Sequence, residues 1–268
     1  MRSTQEIEKL LGLPLLARIP EPEAWMQRTG NLSMLADPHS IQADAYGILR
    51  TNVDFFNLEH GARTIMVTSA LDQEGKSTTA ANLAIALSRA GQRVILVDLD
   101  LRRPMLQRFF KTGDRLGITD VVEGKATISF ADDEHEGGSF AVVTTGTLPA
   151  DAAEFIGGRA LAQTLADLRE HADIVIVDAP PLLAVGDAIA LSGKVDAMIV
   201  LTRLGVVRRR AITELKRVLK ACPAKKIGFV VTGAENDEDY RGGYGYSYSY
   251  SRREEPVEPE RRRRGRSR

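Results

Sequence analysis

A glycine, a lysine and two hydroxyl residues stand together near the end of the run ALDQEGKST. The run follows a short apolar segment, residues 64–68, and precedes a stretch with helical periodicity, so the motif lies between a strand and a helix. In that context loop N–H groups and the positive end of the helix can cradle phosphates, Lys76 can reach the β and γ oxygens, and Ser77 can ligate Mg²⁺. Gly75 lets the backbone approach closely. We therefore predict that Gly75, Lys76, Ser77 and Thr78 bind a nucleoside triphosphate.

The same loop departs from the usual G-x-x-x-x-G-K-[ST] pattern at its first position, where this chain has Ala70. Asp72 and Gln73 add an acid and side-chain bulk near the predicted phosphates. These features weaken the match. The flanking strand nevertheless makes a chance occurrence of the motif the less favoured interpretation.

Two carboxylates follow the second apolar run, in VILVDLDLRRP. Side chains alternate along a strand, so Asp98 and Asp100 can point the same way. Ligands bind at the carboxyl ends of the strands in open α/β sheets. The pair can hold Mg²⁺, or one acid can hold the metal while the other acts as a base. A solvated strand end is the alternative.

A further aspartate, Asp178, ends the run DIVIVD. This is a Walker B arrangement, in which a strand-end acid holds Mg²⁺, here through water. Asp187, in AVGDAIAL, is interpreted instead as a helix cap. The predicted metal ligands are therefore Ser77, Asp98 and Asp178, gathered with the loop lysine at one edge of a sheet.

Short β-branched runs alternate with longer helical patterns from residue 64 onward, which is typical of successive β-α-β units. Most runs lack polar alternation, which favours strands buried on both faces. The candidate strands are 64–68, 93–97, 140–144, 173–177, 197–201 and 227–231. The clearest helices are 76–90, 159–171 and 207–221. We predict a mainly parallel sheet with helices on both faces, the α/β architecture of P-loop NTPases.

Composition divides the chain into three parts. Residues 1–62 form an N-terminal extension that is expected to be mostly helical, with Ser40 as a candidate N-cap before an oligomerisation or partner helix. Residues 63–234 are expected to form the P-loop domain. Residues 235–268 are rich in Gly, Ser, Tyr and charge and have almost no aliphatic side chains, so we expect a disordered tail.

Overall composition limits the remaining classes. The 268 residues are 43% hydrophobic and 27% charged, which excludes a wholly disordered chain. Cys222 is the only cysteine, so no intramolecular disulfide can form, and the four histidines have no metal-ligand spacing. No run approaches the ~18 apolar residues of a membrane-spanning helix, and the polar start is unlike a signal peptide. We expect a cytoplasmic location.

The formal net charge of zero conceals a basic end, because residues 251–268 carry eight Arg against four Glu. A solvated charge run is favoured there over a nucleic-acid site, and contact with anionic lipid headgroups is a third reading. We expect no specific nucleic-acid partner.

Taken together, AxxxxGKST, VILVDLDLRRP, DIVIVDAPPLL and the tyrosine-rich end resemble the bacterial tyrosine kinases that regulate capsular and exopolysaccharide export. The resemblance implies a protein tyrosine autokinase that uses ATP and Mg²⁺. In that family the first acid of the D-x-D element assists the metal, and the second is thought to activate the tyrosine hydroxyl. Here those residues are Asp98 and Asp100, and Lys76 completes the catalytic set.

Five of the six tyrosines lie within eleven residues of the tail. Composition alone allows a low-complexity segment without catalytic meaning. Together with the site, however, the cluster predicts phosphorylation in trans, followed by release as each phosphate adds about −2 charge. The predicted acceptors are Tyr240, Tyr244, Tyr246, Tyr248 and Tyr250.

The resemblance also implies partners. These are a transmembrane polysaccharide co-polymerase that activates the kinase, a cognate phosphotyrosine phosphatase, and further copies of the chain in a ring. The family's oligomerisation helix carries E-x-x-R-x-x-R, whereas this chain has Asp44, Gly47 and Arg50, so Gly47 weakens the ring prediction. Thr232 stands where the family often has an adenine-contacting asparagine. Attachment to the inner face of the plasma membrane is expected through a partner or through a missing N-terminal membrane segment.

Arg102 and Arg103 are interpreted either as contacts for phosphates or the incoming tail, or as a salt-bridged surface pair. Two other functions stay open. A partitioning ATPase of the deviant Walker class normally carries a signature lysine where this chain has Leu71. A nucleotide-loaded adaptor could instead regulate a polysaccharide co-polymerase without turnover.

Overall fold

The computed structural model describes residues 1–22, 24–113, 115–127 and 140–236. Its seven-stranded sheet is parallel throughout and has the order β1-β7-β6-β2-β5-β3-β4. The strands are β1 Leu15–Ile19, β2 Thr64–Ser69, β3 Val94–Asp98, β4 Phe140–Val143, β5 Ile174–Asp178, β6 Ala197–Arg203 and β7 Lys225–Thr232. The helices are α1 Thr4–Leu11, α2 Ala24–Thr29, α3 Ser33–Ala36, α4 Ile41–His60, α5 Lys76–Arg89, α6 Leu106–Phe110, α7 Ile118–Val122, α8 Ala152–Gly157, α9 Arg159–His171, α10 Asp187–Ser192 and α11 Arg209–Ala221, with a 3₁₀ turn at Ala234–Asn236.

Alternate side chains of the central strands enter two separate cores, one on each face of the sheet. In β5, Val175 and Val177 pack in the core that α1, α9, α10 and α11 cover. Ile174 and Ile176 pack in the core that α4 and α5 cover. Burial on both faces explains why these strands are continuous apolar runs rather than alternating ones. The predicted α/β fold, with helices on both faces of a parallel sheet, is confirmed.

The elements predicted from residue 64 onward are present, and strand ends differ by at most two residues. Ser40 caps α4 as predicted, since its hydroxyl oxygen accepts a hydrogen bond from the Ala43 N–H at 3.2 Å. Cys222 is buried and caps the end of α11. Among the described residues no helix has both the length and the apolar character needed to cross a bilayer.

The N-terminal part is mostly helical, as expected, but it also adds an edge strand to the sheet. Strand β1 pairs in parallel with β7, and the Phe229 N–H donates to the Pro14 carbonyl at 2.9 Å. The short run LLARI has no turn signal linking it to a distant partner, so only the folded chain reveals this pairing. The predicted disordered tail lies, from residue 237 onward, outside the described residues.

Candidate active site

The phosphate loop begins where β2 ends and closes where α5 begins. Gly75 is the N-cap of α5 and has φ 88°, a left-handed conformation that glycine adopts without strain. Gln73 also has a positive φ, 61°. The N–H groups of residues 73–76 have no hydrogen-bond acceptor in the part of the chain that the structure describes. The loop therefore presents donors and a helix N-terminus to a phosphate group.

Lys76, the first residue of α5, points into the cluster of strand-end acids. Its Nζ lies 2.5 Å from Asp100 Oδ2 and 3.8 Å from Asp178 Oδ1. It also donates to the Ser77 hydroxyl at 3.1 Å. The structure thus brings the predicted lysine, serine and two of the predicted acids into one buried cluster.

The register of three neighbouring strands explains this meeting. Asp98 and Asp178 are direct partners across β3 and β5, and Asp178 is also the partner of Val67 in β2. Strand β2 leads directly into the phosphate loop. Parallel strands in this order bring their carboxyl ends to one edge of the sheet, as the sequence predicted.

The three acids have different surroundings. Asp98 accepts hydrogen bonds from the N–H groups of Asp100, Met105 and Leu106 at 3.0 to 3.2 Å. Asp100 accepts from the Arg103 N–H at 3.1 Å while its other oxygen faces Lys76. Asp98 therefore also shapes the turn that carries Asp100.

Asp178 is the acid with unused acceptor capacity. Both of its carboxylate oxygens are buried and accept no hydrogen bond from the described residues. Burial raises the pKa of Asp178 to about 8, although Lys76 and the nearby Ser77 hydroxyl lower it. Burial raises the pKa of Asp98 to about 6 against the opposing effect of its N–H donors. Burial lowers the pKa of Lys76, but attraction to Asp178 and Asp100 outweighs this, so the net direction is upward.

These donors fit a magnesium ion shared with a triphosphate. Mg²⁺ takes oxygen ligands and usually binds one or two carboxylates together with phosphates and water. The Ser77 hydroxyl and the unbonded oxygens of Asp178 supply such ligands. Among the described residues, no three Asp, Glu, His or Cys side chains form a ready metal cage.

Comparison with known proteins decides the family. Residues 65–242 match the model of the CobQ/CobB/MinD/ParA nucleotide-binding domain. The chain is 31% identical over 219 residues to the tyrosine-protein kinase YwqD of Bacillus subtilis (strain 168), covering 82% of this chain and 92% of that protein. This chain belongs to the bacterial tyrosine-protein kinase family.

Solved structures and longer relatives agree with this membership. The kinase domain of the Escherichia coli tyrosine kinase ETK superposes with a TM-score of 0.78 at 26% identity, covering 92% of this chain and 99% of that one. The putative tyrosine-protein kinase EpsB of Ralstonia solanacearum is 27% identical over 251 residues. The match covers 90% of this chain but 33% of EpsB, so this member of the family corresponds to one part of that longer relative.

The arginine pair of this family member takes part in ion pairs. Arg102 Nε donates to Asp187 Oδ2 at 2.8 Å, and Arg102 is half exposed. Asp187 is the first residue of α10 and the ion-pair partner of Arg102. The sequence interpretation placed Asp187 at the N-cap of a helix, but Gly186 occupies that position. Arg103 Nη1 lies 3.8 Å from Asp72 Oδ2 at the surface.

A cavity of about 440 Å³ adjoins the phosphate loop. Its size suits a small organic ligand. Thr78 and Thr232 line it together with Tyr46 of α4. Other lining residues come from the chain after β1, from α6 and from the end of β6: Pro20, Glu21, Phe109 and Arg203. The N-terminal extension thus forms one wall of a cavity beside the loop.

Sequence reasoning did not identify two residues that hold the loop. Glu74 occupies a variable position of the motif, yet its side chain is buried beneath the loop. Arg203, at the end of β6, donates its N–H to Glu74 and its guanidinium to Glu21. These contacts join segments that are far apart in the chain, so no local pattern signals them. Tyr240, Tyr244, Tyr246, Tyr248 and Tyr250, the predicted phosphate acceptors, lie outside the described residues.

Proposed function

We propose that this chain is an ATP-dependent protein tyrosine autokinase that phosphorylates the tyrosine cluster of its own tail in trans. The observation that carries the proposal is the buried ion pair of Lys76 with Asp100, at 2.5 Å, beside the unbonded carboxylate of Asp178. Membership of the tyrosine-protein kinase family supports tyrosine as the acceptor. ATP and Mg²⁺ supply the phosphoryl group and its charge neutralisation when they are bound.

Each residue of the cluster then has a distinct role. Lys76 and the loop N–H groups hold the phosphates. Thr78, in the first turn of α5, also belongs to the nucleotide-binding set. Ser77 and Asp178 hold the metal, with Asp98 assisting. Asp100 accepts the proton of the attacking tyrosine hydroxyl. The tyrosine oxygen bonds to the γ-phosphorus while the bond from that phosphorus to the bridging oxygen breaks, which leaves ADP.

The Lys76–Asp100 pair implies an order of events. A lysine held at 2.5 Å by a carboxylate is not available to a phosphate group, and the carboxylate is not free to act as a base. We expect the triphosphate to draw Lys76 away from Asp100. Nucleotide binding would therefore prepare both the phosphate contact and the base.

The proposal extends to partners and location. We place the kinase at the inner face of the plasma membrane, bound to a transmembrane polysaccharide co-polymerase. There it regulates capsular or exopolysaccharide polymerisation and export. A phosphotyrosine phosphatase removes the phosphates that the kinase adds. Self-association along α4 is supported by four exposed apolar side chains on this helix. They are Ile41, Ile48, Phe55 and Leu58. Arg102 donates its Nε–H to Asp187 and is half exposed, and we expect its remaining guanidinium N–H groups to contact the incoming tail.

Two substitutions test the assignment. Lys76→Met is expected to abolish both Mg-ATP binding and phosphotyrosine formation. Asp100→Asn is expected to keep Mg-ATP binding and to lower phosphotyrosine formation by about 10²–10⁴-fold, the usual contribution of a general base. Calorimetric titration measures binding, and mass spectrometry of the tail measures labelling.

The matched control is Asp173→Asn, because Asp173 pairs with Arg93 at the surface. This variant is expected to behave like the wild type. Labelling that survives Asp100→Asn would remove Asp100 as the base. A wild type that binds Mg-ATP but never labels tyrosine would favour the adaptor, and phosphate release without labelling would favour the partitioning-type ATPase.

A further inference from the structure

We infer that Glu74 is a positioning residue that holds the phosphate loop in its triphosphate-binding conformation by clamping the N–H groups of Leu71 and Arg203. The inference rests on the proposed function of the loop as a nucleotide site. It assigns a role to a residue that touches neither the acids nor the lysine of that site.

The geometry of Glu74 joins the loop to two strand ends. One carboxylate oxygen accepts from the Leu71 N–H at 2.7 Å, and the other accepts from the Arg203 N–H at 3.2 Å. The Glu74 carbonyl accepts from the Thr232 hydroxyl at 2.9 Å. One residue thereby ties the start of the loop to the ends of β6 and β7.

The loop needs such a restraint because two of its residues have left-handed backbone conformations. Glu74 stands between Gln73, with φ 61°, and Gly75, with φ 88°. A side chain at Gln73 disfavours that conformation, so surrounding contacts must maintain it. The Glu74 clamp fixes this segment to Leu71 before it and to the ends of β6 and β7.

The clamp also determines which N–H groups remain for a ligand. It occupies the N–H of Leu71, whereas those of residues 73–76 have no acceptor among the described residues. Without the carboxylate, the Leu71 and Arg203 N–H groups would be left unpaired in a partly buried setting. The loop would then be free to rearrange and would lose its alignment of phosphate donors.

The position of Glu74 is costly, which argues against an incidental contact. The side chain is fully buried, and the guanidinium of Arg203 is turned toward Glu21 and the Gln73 carbonyl. Burying a carboxylate is unfavourable unless hydrogen bonds compensate. Burial accordingly raises the pKa of Glu74 to about 7.

Substitution of Glu74 in the full-length chain tests the inference. Glu74→Ala removes both acceptors and is expected to weaken Mg-ATP binding at least tenfold. Glu74→Gln keeps one acceptor and a similar volume, so an intermediate loss is expected. In autophosphorylation assays the loss should appear mainly in the KM for ATP, with kcat changed less than threefold, because Glu74 does not touch the reacting atoms.

Asp120→Ala is the matched control. The Asp120 carboxylate is also buried and accepts two loop N–H groups, from Gly117 at 2.9 Å and Thr147 at 3.1 Å, beside β4 and away from the phosphate loop. Its loss should lower the thermal midpoint of unfolding while Mg-ATP affinity stays within twofold of the wild type. An equal loss of affinity in Asp120→Ala would reduce the Glu74 effect to general destabilisation and overturn the inference.

The remaining outcomes separate the two proposals. A wild-type chain that does not bind Mg-ATP contradicts the proposed function itself. A wild type that binds, with Glu74→Gln and Glu74→Ala binding equally well, contradicts only the role of Glu74. If Glu74→Ala does not fold, Glu74→Gln carries the test.

Discussion

At the scale of single residues, the three strand-end aspartates differ in their hydrogen-bond partners, and the different roles proposed for them rest on this difference. Asp98 accepts hydrogen bonds from three backbone N–H groups. Asp100 accepts one from a backbone N–H and pairs with Lys76. Asp178 accepts no hydrogen bond from the described residues. A carboxylate with free oxygens suits a metal, and one paired with a displaceable lysine suits a base. Counting strand-end acids cannot make this distinction.

The raised pKa of Glu74 predicts a specific pH dependence of stability in the nucleotide-free protein. Its pKa rises from 4.5 to about 7 through burial, opposed by N–H donors and by the charge of Arg203. Between these values the folded chain holds a proton that the unfolded chain has released. The stabilisation that the protonated Glu74 gives the folded chain is therefore fully present below pH 4.5 and is lost as the pH rises through 7.

Glu74→Gln removes the titration, so the variant should gain stability relative to the wild type as the pH rises from 4.5 to 7. The relative gain should be about 1–3 kcal/mol, given about 1.4 kcal/mol per pKa unit. Urea unfolding at pH 5 and pH 8 measures the difference. If the free energy of unfolding changes equally in the two proteins between pH 5 and pH 8, the assigned pKa shift is contradicted.

At the scale of elements, close backbone approach decides where the N-terminal extension attaches. A Cβ built on Gly228 of β7 would lie 2.5 Å from the Pro14 carbonyl oxygen and 2.7 Å from Leu16 Cγ. Strand β1 can therefore pair with β7 only because position 228 lacks a side chain. The wall that the extension adds beside the phosphate loop depends on this contact.

A pair of glycine substitutions tests this packing. Gly228→Ala should lower the free energy of unfolding by about 1–3 kcal/mol, the usual cost of overpacking. Gly47→Ala, in α4, meets no atom within 4 Å and should raise it by roughly 0.5–1 kcal/mol, because alanine favours the helix. Chemical denaturation compares both variants with the wild type. A Gly228→Ala protein as stable as the wild type would mean that β1 is displaced at no cost.

At the scale of the whole molecule, the site and the start of the tail share one edge of the sheet. The 3₁₀ turn Ala234–Asn236 follows the carboxyl end of β7, and the Glu21 N–H donates to the Glu235 carboxylate at 2.8 Å. Tyr240 comes four residues after Asn236. So short a connection restricts the sites this tyrosine can reach on its own chain, at about 3.3–3.6 Å per extended residue.

Mixing two inactive variants tests transfer in trans. One partner is the full chain with all five tail tyrosines replaced by phenylalanine, which keeps the site, and the other is Lys76→Met, which keeps the tyrosines. Phosphotyrosine is expected on the Lys76→Met chain only in the mixture with ATP and Mg²⁺. Labelling by the wild type together with an unlabelled mixture would indicate transfer within one chain.

The sheet from residue 64 onward, the lysine and the three acids could be predicted from the sequence, because strand, loop and helix signals are local in the chain. The edge strand β1, the clamp of Glu74 and the Arg203–Glu21 pair appear only in the folded protein. The β1–β7, Glu74–Arg203 and Arg203–Glu21 contacts join segments more than a hundred residues apart. The Glu74–Leu71 contact places a loop side chain under its own backbone. Local propensity carries no information about such contacts, since their energy exists only once the sheet has brought the segments together.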